Sequence, residues 1–194
     1  MIRVVIVSAS QRANSQSRRI ADVFRDQYLD GEADILDLHD TVLPLWSGPD
    51  SATPAVEQVR ALMVAADAFI FVVPEWHGMA PAAIKNLLLW CGASELAHKP
   101  TLLTAVSASA GGAFVVAELR GSGYKNSRLL WLPEHLILRN VGDLWSEQEG
   151  NKCDAYLDKR TRYAVDMLKT YARALSGVRE PLLAGLKDFG NGMS

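Results

Sequence analysis

The chain has 194 residues, room for one domain with a sizeable core. Its make-up, 49% hydrophobic and 22% charged with a formal net charge of -2, is ordinary for a soluble protein. Lysine and arginine form no continuous tract and no apolar run reaches membrane-span length, so nucleic acid, an anionic membrane surface and a transmembrane segment are all disfavoured.

The opening stretch IRVVIVSAS, Ile2 to Ser10, is β-branched and reads as a parallel strand covered on both faces, not as a signal peptide. Polar residues follow, and a helical pattern begins near Ser15 or Ser17 and runs to about Leu29, with Ile20, Val23 and Phe24 on its apolar stripe. Ala33 to Leu38 reads as the second strand, and HDTVLPLWSGPD as a loop. Thr53-Pro54 opens a second helix with Val56, Val59, Leu62 and Met63 on one side. The most hydrophobic strand is DAFIFVV, and a helix from about Pro81 to Trp90 follows it. PTLLTAVSA is the fourth strand, SAGG its exit, and Ala113 to Leu119 the start of another helix. A fifth strand is expected near Leu136 to Leu138, and a helix over 154–177 packing through Tyr156, Tyr163, Val165 and Leu168. Residues 1–180 are expected to form a single domain, and 181–194 a partly flexible, glycine-rich tail.

Alternating strands and helices at close spacing predict an α/β fold with a doubly wound parallel sheet. Right-handed crossovers put the strand C-termini along one edge, where ligands of such folds bind. Three loops, SASQRANSQS, PEWHGMAP and SASAGG, follow strands one, three and four and should meet there.

In the first loop Ser10, Ser15 and Ser17 offer hydroxyls and Arg12 a charge beside a helix start, which suits a terminal phosphate. Helix capping by the serines and a solvated Arg12 is the plainer alternative. Neither GxxxxGK[ST] nor GxGxxG is present, so a triphosphate P-loop and a dinucleotide site are unsupported. In the second loop Pro74 ends the strand, Glu75 can pair with Arg12, with a partner subunit or with water, and Trp76, His77 and Gly78 offer a flat face, a ring and a close backbone approach. A subunit contact for Trp76 and an exposed imidazole for His77 are the alternatives. Lys85 and Asn86 read as structural, with Asn86 bonding to a neighbouring loop. In the third loop Ser107, Ala110, Gly111 and Gly112 keep the backbone low; a plain tight turn is the alternative. Cys91 and Cys153 form no CxxC pair and read as free thiols of a reducing, cytoplasmic compartment unless the fold joins them. The histidines at 39, 77, 98 and 135 form no metal motif, and no GxSxG elbow is present. His98 reads as a surface residue before a strand, and Trp131 to Trp145 as core or as an interface.

Together these residues resemble the NADPH-dependent FMN reductase family of flavodoxin-like proteins, which includes quinone, chromate and azo-dye reductases. That family holds the FMN phosphate in a GSxRxxS loop; here the stretch is Ala9 to Ser15, with Ala9 in the glycine position and Ser17 at a further phosphate-side position. Its second motif, roughly PxYNxxxPGxLKNaiDW, corresponds to Pro74 through Trp90, with Trp76 for tyrosine, His77 for asparagine, Ala82 for glycine and Leu89 for aspartate. Ser107 to Gly112 match the third loop, near the flavin ring. The resemblance implies a flavodoxin-like, five-stranded parallel sheet of order 2-1-3-4-5 with helices on both faces. It implies FMN as cofactor and NADPH or NADH as cosubstrate. FMN would be held by Ser10, Arg12, Ser15, Ser17, Pro74, Glu75, Trp76, His77, Gly78, Ser107, Ala110, Gly111 and Gly112. The flavin carries the chemistry, so no side-chain catalyst and no metal is assigned. Reducing equivalents pass to a quinone, free flavin or similar acceptor by a ping-pong route. A homodimer or homotetramer is implied as well. An FMN-binding electron carrier without efficient NAD(P)H turnover, and a relative that has lost FMN, are the other readings.

Overall fold

The computed structural model describes residues 2–146 and 155–189. Five strands form one parallel sheet: β1 (Val4–Ser8), β2 (Asp34–Asp37), β3 (Ala68–Pro74), β4 (Pro100–Val106) and β5 (Leu130–Leu138), in the order β2-β1-β3-β4-β5. The flavodoxin-like doubly wound topology is therefore present as expected.

Residues of β1, β3 and β4 alternate between two cores because successive side chains point to opposite faces of a strand. Val4, Ile6, Ile70, Val72 and Leu102 face α1 (Gln16–Val23) and α6 (Ala155–Leu175), which add Ile20, Ala21, Ala164, Val165, Leu168 and Ala172. Val5, Val7, Phe69, Phe71 and Leu103 face α2 (Pro54–Ala65), α3 (Ala82–Trp90) and α5 (Ala113–Gly121). Each such side chain contributes roughly 1.5–3 kcal/mol on full burial, so both faces hold the sheet rigid. A short α4 (Ala93–Leu96) and a terminal α7 (Arg179–Ala184) complete the helices described.

Helix starts follow the expected caps. Ser15 caps α1 through a bond from the Arg18 amide, and Thr53 caps α2 ahead of Pro54. Beyond Val23 the first helix widens into a π-helical turn, Phe24–Tyr28.

Three details differ from the expectations. The fifth strand runs from Leu130, not from Leu136, and tolerates Pro133 because it is an edge strand with an irregular register between Thr101 and Leu103 of β4. Tyr156 and Tyr163 face solvent, at 70% and 57% exposure, whereas Val165 and Leu168 pack as expected, joined by Thr161, Ala164 and Ala172. Tyrosines at helical spacing carry a polar tip that water satisfies, whereas the small residues let the helix approach the sheet. His98 is half-buried at a φ of 59°, not a surface residue. Of the two alternatives for Trp131 and Trp145, the core one fits: they pack inward, edge-on to Phe71 and to Tyr28. Cys91 is a buried free thiol, whose pKa burial pushes up to about 12; Cys153 lies outside the described residues. Gly185–Lys187 form a 3-10 turn, and the remainder of the tail from residue 190 is also outside them.

Candidate functional site

Reversal of strand order between β1 and β3 opens a crevice at their C-terminal ends. A cavity of about 280 Å³ lies there, lined by Ser10, Arg12, Ser15, Ser17, Pro74, Glu75 and Trp76 among the expected residues. The first and second loops, some 60 positions apart in sequence, are thus brought together.

The first loop is shaped from inside. Ser10, 1% exposed, accepts the Arg12 amide at 3.1 Å, and Asn14 takes a left-handed φ of 50°. These turns aim the loop at the N-terminus of α1. Ser15 serves the Arg18 amide, and the Arg19 amide closes on the Ser15 carbonyl at 3.1 Å. The amides of Gln16 and Ser17 precede any intrahelical acceptor and so remain available, at the positive end of the helix dipole. The Ser17 hydroxyl is buried and has no hydrogen-bond partner among the described residues. Arg12 is exposed, and its guanidinium makes no hydrogen bond or ion pair among them. A buried donor without a partner beside a free cation and open amides is the donor set of an anion site. From outside, His39 Nδ1 lies 3.2 Å from the Gln11 carbonyl and steadies the loop.

The second loop is closed on itself. Trp76 and Met79 exchange backbone bonds of 3.0 and 2.9 Å across His77 and Gly78, whose φ values are 52° and 72°. Positive φ at both central residues is a type I′ turn, which favours asparagine and glycine and tolerates histidine. His77 is exposed at the turn tip, and neither it nor Gly78 lines the cavity. Glu75 pairs with neither Arg12 nor water alone. Its Oε2 accepts the Phe114 and Val115 amides at 3.0 and 3.3 Å, capping α5 from a different loop.

The third loop is built around that carboxylate. A Cβ on Gly111 would stand 2.5 Å from Glu75 Oε1, and one on Gly112, at a φ of 106°, 2.5 Å from Ile137 Cγ2. Ser107 Oγ accepts the Ser109 amide at 3.2 Å. Ser107, Ala110, Gly111 and Gly112 therefore stand beyond the cavity wall, whose third-loop contribution comes from Val106 and Ala108.

Lys85 and Asn86 are structural, as expected. Lys85 forms an ion pair with Glu118, which also accepts the Ala80 amide at 2.8 Å. Burial pushes the Glu118 pKa up, but the Ala80 and Lys85 bonds outweigh it and leave it lowered. Asn86 accepts the Trp46 amide at 2.9 Å and donates to the Pro44 carbonyl at 2.9 Å, fastening the loop after β2.

Sequence reasoning missed Val141 and Arg19. Val141 lines the cavity from the segment after β5; its amide donates to the Ser107 carbonyl at 3.1 Å. Arg19 donates to the carbonyls of Val141, Leu144 and Trp145 at 2.6, 2.8 and 3.2 Å, pinning that segment to α1, and burial lowers its pKa. Asn140, left-handed at a φ of 47° just after an apolar run, was the available signal for the turn that carries Val141.

Known proteins resemble this chain in sequence and fold. Residues 2–142 match the family model described as NADPH-dependent FMN reductase. A curated NADPH azoreductase of a Bacillus species is 32% identical over 108 residues, which are 55% of this chain and 59% of that protein. A probable NADPH:quinone oxidoreductase 2 of Oryza sativa is 27% identical over 187 residues, 91% of each chain. Among solved structures, the flavoenzyme NAD(P)H:(acceptor) oxidoreductase of Paracoccus denitrificans superposes with a TM-score of 0.74 at 20% identity, covering 90% of this chain and 99% of its own, a likeness of fold.

Proposed function

We propose a function from one premise: the chain belongs to the NADPH-dependent FMN reductase family, whose model its residues 2–142 match. The proposed activity is FMN-dependent oxidation of NADPH or NADH, with the reducing equivalents passed to a quinone, free flavin or similar small acceptor by a ping-pong route. The observation that carries it is the buried, unpartnered Ser17 hydroxyl in a cavity that joins the first loop to Pro74, Glu75 and Trp76.

The residues present fit FMN. Its phosphate would take the amides of Gln16 and Ser17, the hydroxyls of Ser10, Ser15 and Ser17, and Arg12. Its ring would lie against Pro74 to Trp76, Val106 and Ala108, with His77 and Gly78 holding the turn rather than touching it. Bound FMN supplies the hydride-accepting centre, and the protein supplies position and charge. Trp76 offers an apolar face for a planar acceptor. Behind the cavity wall, Gly111 carries no side chain and so leaves room for the Glu75 carboxylate.

Val42, Leu45 and Leu89 are exposed at 77%, 80% and 58%. They suit the contact of a homodimer or homotetramer. No helix among the described residues is long and apolar enough to cross a membrane, and a cytoplasmic enzyme is the proposed setting. The test is FMN titration of the purified chain, followed by NADPH oxidation with a quinone as acceptor. Saturable FMN uptake and parallel double-reciprocal lines are expected. Uptake without turnover would make the chain an electron carrier, and no uptake would remove the cofactor from the account.

A further inference from the structure

Glu75 stands at the junction of the second and third loops, and its arrangement is more specific than a structural cap requires. Gly112 is the N-cap of α5, and its φ of 106° and the nearby Ile137 methyl exclude any side chain there. The helix therefore lacks the usual side-chain cap, and Glu75 supplies one from 37 positions upstream, bonding the second and third amides of the helix through Oε2 alone. Oε1 takes no hydrogen bond among the described residues. It lies where a Gly111 Cβ would collide, so the third loop is shaped to admit it. Glu75 also lines the cavity, between Pro74, which ends β3, and Trp76.

Of the α1 and α5 N-termini, only that of α1 can then receive an anion. The α5 terminus already holds a carboxylate, whereas α1 is open. The same carboxylate stands in the cavity wall, on the side where the ring is proposed to lie. Reducing a flavin by two electrons and one proton leaves the ring with an added negative charge at neutral pH, and a nearby anion opposes that charge.

We propose that Glu75 is a positioning residue that also sets the redox poise of the site, its free Oε1 holding the reduction potential of bound FMN low and so favouring transfer onward to the acceptor. This rests on FMN occupying the cavity as proposed above. Reduced and oxidised cofactor differ in how strongly they feel the charge, so the signature is a change in their relative affinities rather than in affinity alone.

The test compares Glu75→Gln, which keeps an oxygen to accept the Phe114 and Val115 amides but removes the charge, with Glu75→Asp, which keeps the charge and loses reach. Midpoint potentials of the FMN-loaded proteins are measured by reductive titration against a reference dye. Glu75→Gln is expected to bind reduced FMN about tenfold more tightly relative to oxidised FMN, a rise of about 30 mV in the two-electron potential. Glu75→Asp is expected to stay within about threefold of the wild-type ratio. Equal shifts in the two variants, or none in Glu75→Gln, would overturn the proposal while leaving FMN binding intact. If Glu75→Gln cannot retain oxidised FMN, the same ratio is read from the Glu75→Ser variant by competition with free FMN, and a wild-type ratio there overturns the proposal equally. Failure of the wild-type chain to take up FMN at all would overturn both this proposal and the functional reading beneath it.

Discussion

The two edges of the sheet handle buried polar groups in opposite ways. At the N-terminal edge two cations, Lys99 and Arg179, are matched within the protein. Lys99, 1% exposed, gives its ammonium to the Met63 and Val64 carbonyls at the end of α2, at 2.6 and 2.9 Å. Arg179 reaches the Ala97 and Ser94 carbonyls nearby, at 3.1 and 2.7 Å. At the C-terminal edge, the second and third loops are equally closed, through Glu75 and the Trp76–Met79 turn. The first loop gathers several donors in reserve, the Ser17 hydroxyl, the Arg12 guanidinium and the opening amides of α1, whereas the other unmatched buried groups among the described residues, on Ser8, Thr104, Arg120, Trp131 and His135, are scattered over three strands and α5. Buried polar groups are matched almost everywhere in a protein, so an unmatched cluster marks where something else completes the set. A polar cavity also exists at the base, lined by Asp67, His98, Lys99 and Arg179, but its main cations are already committed to carbonyls. Polarity alone is therefore a poor guide to the ligand side; unmatched polarity is a better one.

The sharpest way to break the closed side is Gly112→Val. A β-branched side chain at a φ of 106°, 2.5 Å from Ile137 Cγ2, should destabilise the fold by about 3 kcal/mol. For a chain of this size the melting temperature should drop by about 6–12 °C. An unchanged melting temperature would mean that the third loop shifts freely and is not held by its neighbours.

The base of the sheet can be probed through pH. Burial, and then the charge of Arg179, bring the Lys99 pKa down to about 7. An unfolded lysine titrates near 10.4, so between these values the unfolded chain binds more protons than the folded one. Stability from this group should therefore rise with pH across that window. From about pH 9 the Cys91 thiol acts against it, since its folded pKa of about 12 lies above the unfolded one and its contribution is lost as pH rises. Between pH 7 and 9 the urea-unfolding free energy of the wild type should gain about 2 kcal/mol relative to Lys99→Met. Parallel pH profiles for the two proteins would show instead that the two carbonyl bonds hold Lys99 charged throughout.

Much of the closed architecture was legible in the sequence, because buried parallel strands are continuous apolar runs and helix starts carry serine, threonine or proline. Four of the five strands begin and end within two residues of where the apolar runs do. The fifth strand was short-changed because Pro133 and Glu134 look like a break, and only an edge position excuses them. The meeting of Ser10–Ser17 with Pro74–Trp76 followed from topology, since parallel strands send their exits to one rim. The partner of Glu75 was not legible. A carboxylate that caps a helix from another loop leaves no local spacing to read, unlike Ser15 three residues before Arg18. Arg19 and Val141 escaped for the same reason, being joined across 122 positions. His77 was read from its ring chemistry, and its positive φ at the tip of the turn was not legible in the sequence.

The open side is sharpened by Arg12→Ala. The side chain makes no bond among the described residues, so the FMN-free protein should melt as the wild type does. FMN affinity should fall by about 30-fold, the worth of a charge-assisted bond of about 2 kcal/mol. Loss of stability in the absence of FMN would show that Arg12 belongs to the closed architecture after all.

The smallest effect is the most discriminating, because its two readouts should move in opposite directions. Ser17 is 1% exposed and its hydroxyl lacks a partner. Removing an unmatched buried hydroxyl relieves a desolvation penalty, so Ser17→Ala should stabilise the FMN-free protein by up to about 1 kcal/mol. The alanine also has the better helix propensity, which adds to the same sign. With FMN present, the variant forgoes one phosphate bond, and affinity should fall by about fivefold, roughly 1 kcal/mol. Thermal melts with and without FMN measure both at once: the variant should melt above the wild type when empty and gain less on adding FMN. A Ser17 that is matched by a helix carbonyl would instead make the empty variant less stable. A Ser17 that faces no phosphate would leave the ligand-induced gain unchanged. Either result would move the reserve of donors away from α1 and undo the contrast between the two edges.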